Sequence, residues 1–261
     1  MDEAVMMSKN AVLTLSHGQF NLVYNALSFV FAAMLASFVY FLLMRNQITR
    51  KNQTALTLTT LVVLIAGYHY LRIFNSWNEA FHYVDGMYVQ SGLPFNEGYR
   101  YVDWLLTVPL LLAELIAVLR LKAEVARGLT IRLSVASAAM IALGYPGELA
   151  ASHSTARLVW GGLSTIFFIY ILYVLFVELT KSLEGQSARI RQLVAGMRWV
   201  ILVTWLVYPI AFILPRIISS ETTALVARQV GYSIADVLAK PLFGLFAVLI
   251  MLIKSREEES L

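Results

Sequence analysis

Lys240 lies inside an apolar stretch, Ala224 to Ile253, and Asp236 precedes it by one helical turn. A charged amine near the centre of a membrane helix costs roughly 2.5–3.5 kcal/mol, and a carboxylate there costs a similar amount. Two such groups four residues apart must neutralise each other or do chemistry. A buried amine can condense with an aldehyde to form a Schiff base. A second set of ionisable residues, Arg100, Asp103, Thr107 and Glu114, lies in another apolar stretch at spacings of three, four and seven. Those spacings put all four on one helical face. Asp103 and Glu114 are separated by roughly 16 Å along that face, with almost no angular offset.

These residues need a scaffold that crosses hydrocarbon. Of the 261 residues, 59% are hydrophobic and 14% charged, against about 25% charged in soluble domains. Seven apolar segments are each long enough for a bilayer of about 30 Å. They run near Asn21–Met44, Ala55–Phe81, Tyr99–Leu119, Leu129–Leu149, Leu158–Leu179, Val200–Leu214 (starting earlier, near Gln192) and Ala224–Ile253. Helices are the expected spanning element, because each segment must satisfy its own backbone groups. The expected fold is an all-α integral membrane protein, a seven-helix bundle forming one domain over residues 1–261. Residues 1–18 lack the pattern of a secretory signal and are read as an extracellular segment; 255–261 are read as a cytoplasmic tail.

Lysine and arginine concentrate in the connections after segments one, three and five and in the tail. The positive-inside rule then puts the N-terminus outside and the C-terminus in the cytoplasm. The connection between segments two and three contains Gly86, Gly92, Pro94 and Gly98 around Tyr88 and Val89. It reads as a short β-hairpin or a pair of turns. The net charge of +4 comes from these connections and is not read as nucleic-acid binding. Cysteine is absent, and His17, His69, His82 and His153 have no metal-ligand spacing, so thiolate and metal chemistry are not expected.

With segments three and seven running the same way, the ionisable residues form an ordered column. Arg100 is outermost, Asp103 and Asp236 follow, Lys240 is central and Glu114 is innermost. Two carboxylates favour a cation at Lys240, and the apolar neighbours Leu111, Leu112, Leu115 and Val118 favour a neutral Glu114. Each residue alone has an ordinary reading. Lys240 and Asp236 could be a structural ion pair, Arg100 could snorkel to the interface, and Glu114 could sit at a boundary. Their alignment on two parallel segments favours a proton-transfer column.

The runs RYVDWLLTVPLLLAE (100–114) and DVLAKPLFG (236–244) closely resemble microbial rhodopsins of the proteorhodopsin and xanthorhodopsin branch. WLVYP (205–209), GYPGE (144–148) and STIFFIYILYVL (164–175) extend the likeness across all seven segments. Within that branch the chain resembles carotenoid-binding xanthorhodopsins and the Gloeobacter-type proton pump. This resemblance implies all-trans retinal on Lys240 through a protonated Schiff base. It implies Asp103 as primary proton acceptor, Asp236 as second counterion, Thr107 at the third motif position and Glu114 as proton donor. Sodium and chloride pumps of the family carry other residues at these places.

The retinal pocket implied by the resemblance comprises Trp104 and Trp205 on either side of the polyene, Tyr208 and Pro209, and walls of Leu111, Met140, Gly144, Ser164, Thr165 and Phe168. Tyr208 is expected to bond Asp236, and the apolar Leu111 resembles the green-absorbing type. His69, in GYHYLRIF (67–74), matches a histidine that contacts the acceptor; packing is its ordinary alternative. Gly161, in WGGLST (160–165), falls where many relatives carry a bulky aromatic. It implies an opening through which a carotenoid (a xanthophyll) reaches the retinal ring; a helix-packing glycine is its alternative. A glutamate pair at the outer ends of segments six and seven is not found, and Glu221 is the single outer candidate.

The function expected is a light-driven outward proton pump, an ion transporter rather than an enzyme, with protons as its cargo and the lipid bilayer as its surroundings. It is expected to be multi-pass in the bacterial inner membrane and to assemble as a trimer or pentamer. A sensory photoreceptor signalling to a transducer is the alternative from another class; a retinal-free receptor or transporter is the third.

Overall fold

The structure is a computed structural model that describes residues 13–259. Seven long helices dominate it: α1 (His17–Leu43), α2 (Gln53–Ala80), α3 (Gly98–Leu119), α4 (Ala123–Leu149), α5 (Thr155–Lys181), α6 (Ala188–Ile217) and α7 (Glu221–Glu259). Serine hydroxyls cap the starts of α1, α5, α6 and α7 (Ser16, Ser154, Ser187 and Ser220) and satisfy amides that have no partner within the helix. At Ser16 the cap is reciprocal: Gln19 N–H donates to Ser16 Oγ, and Ser16 N–H donates to Gln19 Oε1.

Consecutive helices pack against each other, and α7 packs on both α1 and α6, which closes the bundle. The outward faces carry Phe29, Leu43, Ile166 and Val203 exposed. In a bilayer these side chains meet lipid, so such a surface carries no aqueous penalty.

The expected spans are all present, and each begins earlier than expected. Segment six begins at Ala188, where Ser187 caps it, and segment seven runs unbroken to Glu259. The expected hairpin is β2 (Phe81–Val84) and β3 (Met87–Gln90). Asp85 and Gly86 make its two-residue turn at φ 48° and 88°, the positive angles that the favoured hairpin turns require.

A third strand, β1 (Thr14–Ser16), pairs antiparallel with β3, giving the order β1-β3-β2. The connection itself supplies the expected hairpin; the third strand comes from the expected N-terminal segment, whose residues 14–18 belong to strand and helix. Residues 1–12 of that segment lie outside the described residues. Residues 255–259 of the expected tail continue α7, and 260–261 are not described. A three-residue strand carries too little alternation to be seen in sequence. The sheet covers one end of the bundle, here the sheet end; the opposite end carries the α7 C-terminus.

One irregularity positions the central amine. Leu238–Leu242 is a π-turn that contains Lys240 and Pro241. Proline lacks the N–H for the i→i−4 bond and crowds the preceding turn. The backbone widens there instead of breaking, and the neighbouring Lys240 remains buried at 3% exposure.

Candidate functional site

Helices α3 and α7 meet at three buried ionisable side chains. Lys240 Nζ donates to Asp103 Oδ2 at 2.8 Å and lies 3.0 Å from Asp236 Oδ1. Asp103 and Asp236 have no exposed surface. One amine between two carboxylates leaves a local excess of negative charge. Arg100, 1% exposed, lies with Nη1 4.0 Å from Asp236 Oδ2, on the sheet side of the pair. Such groups in low dielectric persist only when paired and hydrogen-bonded.

The two carboxylates are held differently. Asp236 accepts from Tyr208 at 2.5 Å, as expected, and from Tyr70 at 2.7 Å. Tyr70 in turn accepts from Arg100 Nη1 at 2.9 Å. Asp103 has Lys240 on Oδ2 only, and its Oδ1 is among the unpartnered buried atoms. Asp236 thus has partners on both oxygens. Asp103 has a free oxygen. Thr107, fully buried, donates to the Asp103 backbone carbonyl at 2.8 Å and not to its carboxylate.

His69 is buried on α2 within electrostatic range of Asp103. Its Nδ1 and Asp103 Oδ1 both lack a hydrogen-bond partner among the described residues. The structure therefore brings the histidine to the neighbourhood of Asp103 without a bond between them.

Glu114 stands apart, eleven residues along α3 toward the other end, at 1% exposure. Its one hydrogen-bond partner among the described residues is Thr59 Oγ1 at 2.8 Å, and that hydroxyl also lies 3.0 Å from the Ala55 carbonyl. Gly244 permits the close approach of α7 here. A Cβ at that position would fall 2.7 Å from the Phe41 ring and 2.8 Å from Thr59 Cγ2.

A cavity of about 300 Å3 runs from Lys240 across the bundle interior to α5, within the size range of small-molecule sites. Trp104, Trp205, Tyr208, Pro209, Leu111, Met140, Gly144, Ser164, Thr165, Phe168, Gly161 and Asp236 all line it, as expected. Thr107 is absent from its lining. Tyr101, Val108, Ile141, Phe212 and Tyr232 also line it and were not singled out by sequence. The walls are apolar and aromatic, and the amine is at one end. That composition fits an elongated apolar aldehyde joined at Nζ.

At the α5 end, Leu158, Gly162 and Thr165 line the cavity and are themselves exposed. The cavity therefore reaches the lipid-facing surface. Gly161 is in contact with α6: a Cβ there would fall 2.8 Å from Phe212 Cε1. The glycine makes room for the Phe212 ring.

Toward the sheet end, sequence reasoning missed a group of partners. Arg100 Nη2 donates to Gln229 Oε1 at 2.6 Å, and Gln229 Nε2 donates to Glu97 Oε1 at 2.6 Å. Arg228 bridges Glu97 at 2.6 Å and Glu148 at 3.0 Å, and Arg157 pairs with Glu148 at 3.2 Å. Glu97, Glu148 and Arg157 sit at helix ends, where charge ordinarily faces water, and Arg228 lies about two turns into α7. In sequence they gave no sign of joining one cluster.

The chain is similar in sequence and fold to known proteins. The family model described as bacteriorhodopsin-like protein matches residues 23–254. The green-light absorbing proteorhodopsin of Gamma-proteobacterium EBAC31A08 is 32% identical over 224 residues, 85% of this chain and 84% of that protein. A thermophilic rhodopsin structure aligns with TM-score 0.90 at 49% identity, over 94% of this chain and 98% of that one. Xanthorhodopsin, described as a light-driven ion pump with dual chromophore, aligns with TM-score 0.89 at 47% identity, over 95% and 99%. With seven membrane-spanning helices closed around a buried lysine and its two carboxylates, the chain belongs to the bacteriorhodopsin-like proteins, in the proteorhodopsin and xanthorhodopsin branch of the microbial rhodopsins.

Proposed function

We propose that this protein is a light-driven pump moving protons outward, with all-trans retinal as its chromophore. The observation that carries the reading is the position of Lys240 Nζ. It lies at the end of an aromatic cavity, 2.8 and 3.0 Å from two buried carboxylates, with a lone carboxyl on the far side. Retinal joined to Lys240 as a Schiff base would supply visible absorption and a light-driven change of geometry at that nitrogen. Trp104 and Trp205 would flank the polyene, while Phe168, Ser164 and Thr165 would line the ring end.

The chain's own residues supply direction. Asp103, with one oxygen unpartnered, is the base suited to take a proton from the nitrogen. Asp236 is poorly suited, because Tyr70, Tyr208 and Lys240 already occupy it. His69 shares the Asp103 neighbourhood and can share its proton as a coupled pair. Glu114 is suited to return a proton from the opposite end. Thr59 has one hydroxyl hydrogen for two oxygens, the Ala55 carbonyl and Glu114. If that hydrogen goes to Ala55, only a protonated Glu114 can complete the second bond. No basic side chain pairs with Glu114 among the described residues, which also supports a neutral acid.

The positive-inside count supports placing the sheet end outside and the α7 C-terminus in the cytoplasm of a bacterial inner membrane. The opening beside Gly161 and Gly162, together with the dual chromophore of the xanthorhodopsin relative, supports a carotenoid antenna on α5. Assembly as a trimer or pentamer belongs to the same reading.

Two measurements test the whole. The purified protein given all-trans retinal should become coloured, and borohydride reduction should fix the chromophore to Lys240. Illuminated cells should then acidify their medium, and an uncoupler should abolish the acidification. A slow photocycle without ion current would point to the sensory photoreceptor.

A further inference from the structure

The charged groups between Lys240 and the sheet end form one connected set. It contains four cations, Lys240, Arg100, Arg157 and Arg228, and four carboxylates, Asp103, Asp236, Glu97 and Glu148. The formal charges cancel, and every carboxylate has at least one cation within 4.0 Å. Such a set holds no spare proton while Lys240 is charged.

The end of this set is built for a changing charge. Glu97 is the more exposed of its two glutamates, with 18% of its side chain accessible against 7% for Glu148. Two buried guanidinium atoms near it are unpartnered, Arg228 Nε and Arg100 Nε. Arg100 Nε is 3.8 Å from Glu97 Oε2. Arg228 can swing its charge between Glu97 and Glu148 without moving its backbone, because it already holds one on each Nη. Gln229 ties Glu97 to Arg100, and Tyr70 ties Arg100 to Asp236. A change of charge at Asp103 and Lys240 is therefore felt at Glu97 through rigid, hydrogen-bonded contacts.

We infer that Glu97, held by Arg228 against Glu148, is the exit carboxylate: it is ionised at rest, takes the pumped proton from Asp103 and passes it to the outer solution. This rests on the pump reading above. In the step, an O–H bond at Asp103 breaks and one forms at a Glu97 oxygen. The Glu97 O–H then breaks and the proton enters bulk water. Arginine does not carry the proton, since it stays charged throughout. The helical distance from Asp103 to Glu97 is about 9 Å at 1.5 Å per residue. Because nothing is stored in advance, a proton appears outside only after Asp103 has been loaded.

The test is flash photolysis of the reconstituted pigment with a pH-indicating dye outside and infrared detection of carboxyl C=O bands. The wild type should show a transient protonated-carboxyl band, additional to those of Asp103 and Glu114, that decays as the dye responds. Glu97→Gln should remove that band and delay the dye response at least tenfold, while loss of the proton at Lys240 keeps its time course. Glu97→Asp should restore the release and shift the band, which separates proton carriage from a packing role. Glu148→Gln should leave the band in place and alter its decay.

A band that bleaches on the flash would mean a proton stored at rest, and would overturn the inference. So would unchanged release in Glu97→Gln with light-driven acidification intact. Absence of acidification in the wild type would instead remove the pump reading itself.

Discussion

The two halves of this bundle handle charge in opposite ways. From Lys240 to the sheet end, every buried cation and carboxylate of the column is tied to others, through Tyr70, Gln229 and three arginines. From Lys240 to the other end of α3, the one buried carboxyl among the described residues is Glu114, with a threonine as its sole hydrogen-bond partner among them. The carboxylates of the first half each have a cation within 4.0 Å. Glu114 has none among the described residues and is followed and preceded on α3 by buried leucines, Leu111, Leu112 and Leu115. The two environments stand on opposite sides of one amine.

The comparison can be broken most severely at its centre. Lys240→Ala should abolish the visible pigment altogether, read as no absorption band after retinal is added. Asp103→Asn removes the one buried carboxylate among the described residues that has an unpartnered oxygen. Light-driven acidification should fall by roughly 10²–10⁴-fold, the usual worth of a positioned acid or base, while the pigment still forms. Acidification at the wild-type rate in that variant would show that the paired half does not accept the proton.

The lone carboxyl gives the next effect. In Glu114→Gln the decay of the deprotonated intermediate should slow by roughly 10²-fold, the lower end of the same range, when followed by flash absorption. An unchanged decay would mean that the two halves do not differ in role. A smaller effect is expected from Tyr70→Phe, which strips one bond from Asp236 and one from Arg100. Leaving those buried groups short should cost about 1–3 kcal/mol each, visible as a lower midpoint in thermal bleaching. Last, Gly161→Trp places a ring where Phe212 already packs. It should remove any carotenoid band from the excitation spectrum of pumping while retinal-driven pumping persists.

Much of this was legible in the chain. The seven spans follow from long apolar runs, since a bilayer demands length and composition more than detail. Asp103, Glu114, Asp236 and Lys240 stood out because a charge in such a run is costly and therefore rare. The sheet-end cluster was hidden for the converse reason. Glu97, Glu148 and Arg157 sit where segments end, and there charge is the common case; Arg228 lies about two turns into α7. Only the packing of α3, α4, α5 and α7 buries them together. Gly161 was readable as a small residue near the ring, yet its contact with Phe212 of α6 was not.

The sequence alone determined that this chain crosses a membrane seven times and carries an amine and three carboxyls at helical spacing on two of the crossings. Periodicity and hydrophobic length are properties of one strand of text, so no partner need be known. The tertiary structure decided that Asp103 keeps a free oxygen while Asp236 does not, and which charges complete the path to the sheet end. Those are facts about side chains from different helices, and distances of 2.5 to 4 Å between them exist only once the bundle has closed.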